Sequence, residues 1–233
     1  MIKKAMILAA GFGKRLNPLT IKHPKPLLKI GDETLLSNTL KFLEKIDIKE
    51  VIINVHYLKE QIIDYIKEKK FELDISVVKE ENKILDTGGG VLNAIKHFSN
   101  KPFLIINPDT IWSTEYIEEV RLVEKKYLKN KSTSLQLVNK KKSFDQSFIG
   151  DFNFKSGQVN RNNKEKLTHI YTGLQISEPK AFLKVDMKVF SINKIWDNLI
   201  KNKKLYGVES NISFLHISTL KIYKSLIEKK FKV

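Results

Sequence analysis

Residues 6–20 read Met6-Ile-Leu-Ala-Ala-Gly-Phe-Gly-Lys-Arg-Leu-Asn-Pro-Leu-Thr20, and residues 24–28 follow as Pro24-Lys-Pro-Leu-Leu28. The apolar run from Ala5 to Ala10 contains a strand at residues 6–9. It breaks into a loop with glycines at 11 and 13, and the cations Lys14 and Arg15 come directly after. Glycines let backbone N–H groups approach phosphate oxygens, and neighbouring cations neutralise the phosphate charge. The order of parts predicts a strand that delivers a triphosphate-binding loop. This is not a Walker loop, because no G-x-x-x-x-G-K-[ST] occurs. Nor is it a dinucleotide fingerprint, because Leu16 stands where the third glycine belongs.

Outward from this stretch, apolar runs alternate with amphipathic ones. Residues 6–9, 51–55, 75–78 and 103–107 read as strands. Residues 35–46, 58–69 and a segment entered through Gly88-Gly-Gly90 read as helices. Such alternation predicts an α/β fold, a Rossmann-like, mostly parallel mixed sheet covered by helices on both faces. Ligands of such sheets bind beyond the carboxyl ends of the strands, where the 11–15 loop and Asp109 both fall. The second half is more polar and more β-like, with strands predicted at 134–138, 148–154, 168–176, 205–208 and 212–216. Helices are predicted at 192–201 and 219–228, the last with Ser218 or Thr219 as its N-cap. Ser156-Gly157 is a turn, and 140–147 and 160–166 are loose segments, 161–166 an exposed loop.

The bulk numbers narrow the classes. A chain of 233 residues fits one domain with a substantial core, and no apolar run reaches a membrane span. The Lys3-Lys4 start and short apolar segment end too soon for a secretory signal, so the expectation is a mature cytoplasmic start. No cysteine is present, which excludes disulfides, zinc thiolates and thiol nucleophiles. The net charge of +16 invites a nucleic-acid reading, but 39 of the 42 basic residues are lysines scattered over nearly every segment. Dispersed lysines form solvated faces, and the runs 67–70 and 140–142 lack interleaved aromatics for base stacking. Neither nucleic acid nor membrane is expected as a partner. The excess charge attracts anionic nucleotides and sugar phosphates.

Four constellations carry chemistry. Arg15 bridges phosphate oxygens through its planar fork. Lys25, between two prolines that stiffen the backbone, projects toward an α-phosphate, its alternative being an ordinary turn lysine. Asp86-Thr-Gly-Gly-Gly90 opens a helix with three glycines, as a flat base lying on bare backbone requires, with Glu81 upstream; the alternative is a flexible connection. Asp109, ending the 103–107 strand, suits Mg²⁺, which prefers oxygen ligands; the alternative is a cap for a helix from Ser113. His216 follows Phe214-Leu215 as a lone strand-end histidine, and no metal-ligand spacing links the five histidines.

Taken together, Leu8-Ala-Ala-Gly-x-Gly-x-Arg-Leu-x-Pro-Leu-Thr20 with Pro24-Lys-Pro-Leu resembles the signature of sugar-1-phosphate nucleotidyltransferases. The likeness continues through Glu81, Thr87-Gly-Gly-Gly90, Pro102 to Asp109, Gly150-Asp-Phe152, Tyr171-Thr-Gly173 and Phe214 to Thr219, nearly the whole length. With no hexapeptide-repeat β-helix after the catalytic domain, it looks most like N-acetylmuramate-1-phosphate uridylyltransferases, with mannose-1-phosphate guanylyltransferases close behind. The resemblance implies one domain, with a nucleotide-binding half at 1–110 and a sugar-binding half at 111–233. It implies transfer of a nucleotidyl group from a nucleoside triphosphate to a sugar 1-phosphate, with a UDP-sugar for the cell envelope favoured, by a monomer or homodimer. Arg15 and Lys25 take catalytic roles. Ala9, Ala10, Gly11, Gly13, Glu81, Gly88 and Gly89 meet the nucleotide, and Asp151, Thr172 and Gly173 meet the sugar. Asp109 ligates Mg²⁺.

One departure stands out. The family's closing motif reads Trp-x-Asp-x-Gly-Thr, its aspartate being the second metal ligand; here Phe214, His216 and Ser218 replace the first three motif residues. Imidazole suits Mn²⁺, Co²⁺ or Zn²⁺ better than Mg²⁺. The readings open at this point are an altered metal, metal held by Asp109 and phosphates alone, or a catalytically impaired nucleotide-binding homologue. CTP- or GTP-dependent transfer is a further alternative.

Overall fold

The computed structural model describes residues 1–161 and 166–229. Its first half runs β1 (Lys4–Leu8), a one-turn α1 (Leu19–Lys22), a short pair β2 (Lys29–Ile30) and β3 (Glu33–Thr34), and α2 (Leu35–Lys45). Next come β4 (Glu50–Val55), α3 (Lys59–Glu68), β5 (Asp74–Lys79), α4 (Asp86–Ala94), β6 (Phe103–Ile106) and α5 (Tyr116–Asn130). The second half contains β7 (Ser134–Asn139), β8 (Asn153–Lys155), β9 (Gln158–Asn160), β10 (His169–Ser177), α6 (Asn193–Lys201), β11 (Tyr206–Ser210) and α7 (Leu220–Glu228).

Among the described residues, nine strands form one sheet in the order β5-β4-β1-β6-β10-β7-β11-β9-β8. The apolar runs of the first half give the parallel part, in which β1 lies between β4 and β6 and Met6 is in register with both Ile52 and Ile105. Strand β10 then enters antiparallel between β6 and β7, so the sheet is mixed, as expected. Side chains alternate across the pleat. Ala5 and Ile7 join Leu36, Leu40, Ile62 and Val123 on one face, while Met6 joins Val91, Ala94, Ile195 and Trp196 on the other. Each Leu, Ile or Phe withdrawn from water in this way contributes about 1.5–3 kcal/mol. No described helix is long and apolar enough to cross a membrane.

Two predicted strands are corrected. In 148–154, only the end joins β8 (Asn153–Lys155), with Phe152 making a single bridge to His169. Gly150 interrupts the extended run with φ +95°, at a point where a Cβ would stand 2.8 Å from the Leu167 carbonyl oxygen. Segment 212–216 alternates like a strand but forms no ladder. Phe214 bridges to Ser143 and His216 to Thr110, two unrelated partners. The helix after Ser113 begins at Tyr116, and the final helix is capped by Thr219, whose side chain accepts the Ile222 N–H at 3.3 Å. Of the predicted loop 161–166, residues 162–165 lie outside the described residues.

Candidate active site

A cleft of about 410 Å³ opens beyond the carboxyl ends of β1, β4 and β6, a size suited to a nucleotide. Its walls include Ala9, Ala10, Gly11, Gly13, Lys14, Arg15, Lys25, Asn54, Asp86, Thr87, Asn107 and Asp109. The stretch that decides the fold therefore also lines the cavity. Gly13 adopts φ +65°, and a Cβ there would stand 3.0 Å from Thr20 and 3.1 Å from Lys25, so the turn and the close approach both call for glycine. Among the described residues other than its chain neighbours, nothing lies within 4 Å of where a Cβ on Gly11 would sit. That open face is space for a ligand.

The loop is held from behind. Thr20 Oγ1 donates to the Gly13 carbonyl at 3.0 Å, and Tyr57 donates its hydroxyl to the Thr20 carbonyl at 2.9 Å. The Phe12 ring packs edge-on against His56 and tilted against Tyr57. Arg15 is exposed on the rim, its guanidinium directed to no carboxylate among the described residues.

Packed against Gly13 of this loop, Lys25 reaches with its Nζ to an ion pair with Asp109 Oδ2, both side chains largely buried. The other carboxylate oxygen, Oδ1, is buried without a hydrogen-bond partner and lies 3.5 Å from His216 Nδ1. The 109–111 turn is fastened to the C-terminal segment: Ile217 N–H donates to the Asp109 carbonyl at 2.8 Å, and Ile111 N–H to the Leu215 carbonyl at 2.9 Å. Burial opposes ionisation of Asp109, but the positive charge on a protonated His216 and the Lys25 ammonium outweigh it and hold the carboxyl at about 2. Burial pushes His216 down to about 4, against the pull of Asp109, so the imidazole is neutral at pH 7; its Nδ1 also lies 3.4 Å from the Thr110 hydroxyl, which donates to the Thr172 carbonyl.

An orphaned carboxylate oxygen facing a neutral imidazole suits a divalent cation. No group of three or more ligating side chains exists among the described residues. Phosphate oxygens and water must supply the remaining ligands of any ion held here.

The structure brings together Ala9, Ala10, Gly11, Gly13, Arg15, Lys25 and Asp109, with His216 behind Asp109. Four residues are placed differently from the expectation. Gly88 and Gly89 do not line the cleft: both N–H groups donate to the Phe190 carbonyl at 2.9 and 3.0 Å. A Cβ on Gly88 would strike the Phe190 ring at 2.4 Å, and one on Gly89 the Lys188 carbonyl oxygen at 2.3 Å. The bare backbone at this helix start accommodates the protein's own 188–190 segment. Glu81 is exposed and paired with Lys59 outside the cleft. Thr172 is buried, its hydroxyl donating to Gln136 Oε1 at 2.9 Å.

Gly173 and Asp151 sit deeper on the second half. Gly173, at φ +94°, accepts the Asn107 N–H at 2.8 Å and so abuts the cleft wall. Asp151 accepts the Tyr171 N–H at 2.9 Å, and burial raises its carboxyl above the usual range. Sequence reasoning missed Asn54 and Glu80, 3% and 2% exposed. An asparagine inside the run Val51-Ile-Ile-Asn-Val55 was the available signal.

The sequence model of the nucleotidyl transferase family matches residues 4–144, more than half of the chain. The chain belongs to the nucleotidyl transferase family. It is 25% identical over 221 residues to the N-acetylmuramate alpha-1-phosphate uridylyltransferase of Caulobacter vibrioides, covering 92% of this chain and 91% of that protein. It is 26% identical over 200 residues to mannose-1-phosphate guanylyltransferase 1 of Arabidopsis thaliana, covering 82% of this chain but 54% of that protein. In structure it is similar to a putative glucose-1-phosphate thymidylyltransferase from Bacillus anthracis, with a TM-score of 0.81, 19% identity, and 99% and 96% of the two chains covered. A UDP-glucose pyrophosphorylase in complex with UDP-glucose gives a TM-score of 0.79 at 17% identity, with 98% of each chain covered. These structures share its fold, a mixed sheet flanked by helices, and the resemblance read from the motifs is borne out by the family.

Proposed function

We propose that the cleft binds a nucleoside triphosphate, UTP in preference, beside a sugar 1-phosphate, and joins them into a nucleotide sugar. The observation that carries this reading is the meeting of Arg15, Lys25 and Asp109 around one cleft at the carboxyl ends of parallel strands. The match along nine-tenths of the uridylyltransferase from Caulobacter vibrioides supports UTP and an N-acetylmuramate-like sugar. Residues 1–110 supply the nucleotide side, and 111–233, through Asp151 and Gly173, the sugar side. The sugar-phosphate oxygen attacks the α-phosphorus in line, the bond to the bridging oxygen breaks, and pyrophosphate leaves. Ala9 to Gly13 cradle the nucleotide with backbone groups, Arg15 grips the triphosphate, and Lys25 lies against the α-phosphate as charge builds on its oxygens. A divalent ion, held by Asp109 Oδ1 with His216 beside it, would neutralise phosphate charge when bound.

Pyrophosphate release with UTP, GTP, CTP and dTTP, a panel of sugar 1-phosphates, and Mg²⁺ or Mn²⁺ tests the proposal. Release is expected with UTP and an amino-sugar 1-phosphate. Nucleotide binding without release in any combination would instead favour an impaired nucleotide-binding homologue, the reading that His216 motivates. Absence of nucleotide binding would overturn both.

A further inference from the structure

Asn54 is 3% exposed in a strand whose neighbours Val51, Ile52, Ile53 and Val55 are apolar. A buried carboxamide is unfavourable unless every polar atom finds a partner, and here each does. Its Oδ1 accepts the Ala9 N–H at 3.0 Å, and its Nδ2 donates to Glu80 Oε1 at 2.7 Å. The second Glu80 oxygen accepts the Leu85 N–H at 2.7 Å. This chain of three hydrogen bonds runs from the end of β1, through β4 and the end of β5, to the residue before Asp86 and Thr87. One end, Ala9, lines the cleft, and the other, Leu85, sits between the lining residues Ile84 and Asp86. Helix α4 leaves room for it at Gly90, where a Cβ would come within 2.6 Å of Asn54 Nδ2 and 2.8 Å of Glu80 Oε1.

The residues that follow serve the same loop. His56 Nδ1 lies 2.6 Å from the Glu80 carbonyl, which can only accept, so Nδ1 carries the proton. Tyr57 holds the Thr20 carbonyl, and Phe12 packs on His56 and Tyr57. The segment 54–57 therefore touches the phosphate loop at its start, in its middle and at its end.

We infer that Asn54 and Glu80 are positioning residues which fix the separation of the Ala9–Gly11 wall from the Leu85–Thr87 wall, and so set affinity for the nucleotide. This rests on reading the cleft as a nucleoside triphosphate site. Asn54 lines the cleft, but both its polar atoms are engaged within the protein.

The pair allows a swap that keeps every bond satisfied. Asn54→Asp alone sets two carboxylates face to face at hydrogen-bond distance. Adding Glu80→Gln restores a donor between them: the new carboxylate accepts from Ala9 and from the glutamine amide, whose oxygen accepts from Leu85. The whole chain is titrated with UTP by calorimetry well below its melting temperature, and KM is measured for UTP and for the sugar 1-phosphate. Asn54→Asp is expected to weaken UTP binding by about tenfold or more while the sugar-phosphate KM moves less than twofold, and the double variant to recover most of the loss. Should Asn54→Asp fold poorly, Glu80→Gln alone carries the same comparison.

Wild-type UTP affinity in Asn54→Asp or Glu80→Gln would overturn the inference. So would equal shifts in both KM values, or failure of the folded double variant to recover. A wild-type protein that binds no nucleotide would instead sink the functional reading itself.

Discussion

Gly89→Ala sets two effects of opposite sign against each other. Gly89 lies in helix α4, where alanine is ordinarily the better helix former by about 1 kcal/mol. The added Cβ, however, would stand 2.3 Å from the Lys188 carbonyl oxygen and 3.1 Å from Leu85 Cβ. The first obstacle is backbone and cannot rotate away, so the 188–190 segment must shift. Overpacking of this kind costs about 1–3 kcal/mol. The shift also weakens the two hydrogen bonds from Gly88 and Gly89 to the Phe190 carbonyl, each worth roughly 1 kcal/mol. The clash wins, and the net loss is about 2–3 kcal/mol, a fall in melting temperature of about 5–10 °C for a chain of this length. Urea unfolding and differential scanning calorimetry both read it. A variant as stable as wild type, or more so, but with nucleotide binding lost, would refute the packing argument and return the glycines to direct ligand contact.

Lys25→Ala removes the cation beside Asp109, and turnover is expected to fall roughly 10²–10³-fold in single-turnover assays; a near-normal rate would exclude Lys25 from the chemistry. His216→Asp places a second carboxylate opposite Asp109 Oδ1 and is expected to shift the preferred ion toward Mg²⁺, read as the ratio of Mg²⁺- to Mn²⁺-supported rates. An unchanged ratio would show that residue 216 does not sense the metal. In metal-free protein His216 holds its proton less well folded than unfolded, about 4 against 6.5, so stability is full above pH 6.5 and declines as pH falls toward 4. The loss is on the order of 3 kcal/mol. Chemical denaturation of wild type and His216→Gln across that window checks it, and identical slopes would contradict the depressed value.

The parallel half of the fold was legible because its strands are unbroken apolar runs. Asp109 was legible because a carboxylate directly after such a run falls at the sheet's carboxyl edge. Pairwise placement was not. Glu80 and Glu81 are identical neighbours, and only the packing of Gly90 and Asn54 against the first makes it the buried one. The glycines at 88 and 89 answer to Lys188 and Phe190, about a hundred residues downstream, a relation that local spacing cannot carry. Ile212, Phe214 and His216 imitate a half-buried strand, yet each bridged residue meets a different partner. Polar atoms and close approaches are decided by tertiary neighbours. Apolar periodicity is local.

The place of β10 in the sheet has a consequence for synthesis. The fully buried Phe-Leu-Ile-Ile edge of β6 pairs with a strand that begins at His169, so a nascent chain carries that edge uncovered for several seconds at ordinary elongation rates. An apolar edge awaiting its partner is a template for pairing with another chain. The net charge of +16, carried largely outside residues 102–124, makes neighbouring chains repel one another.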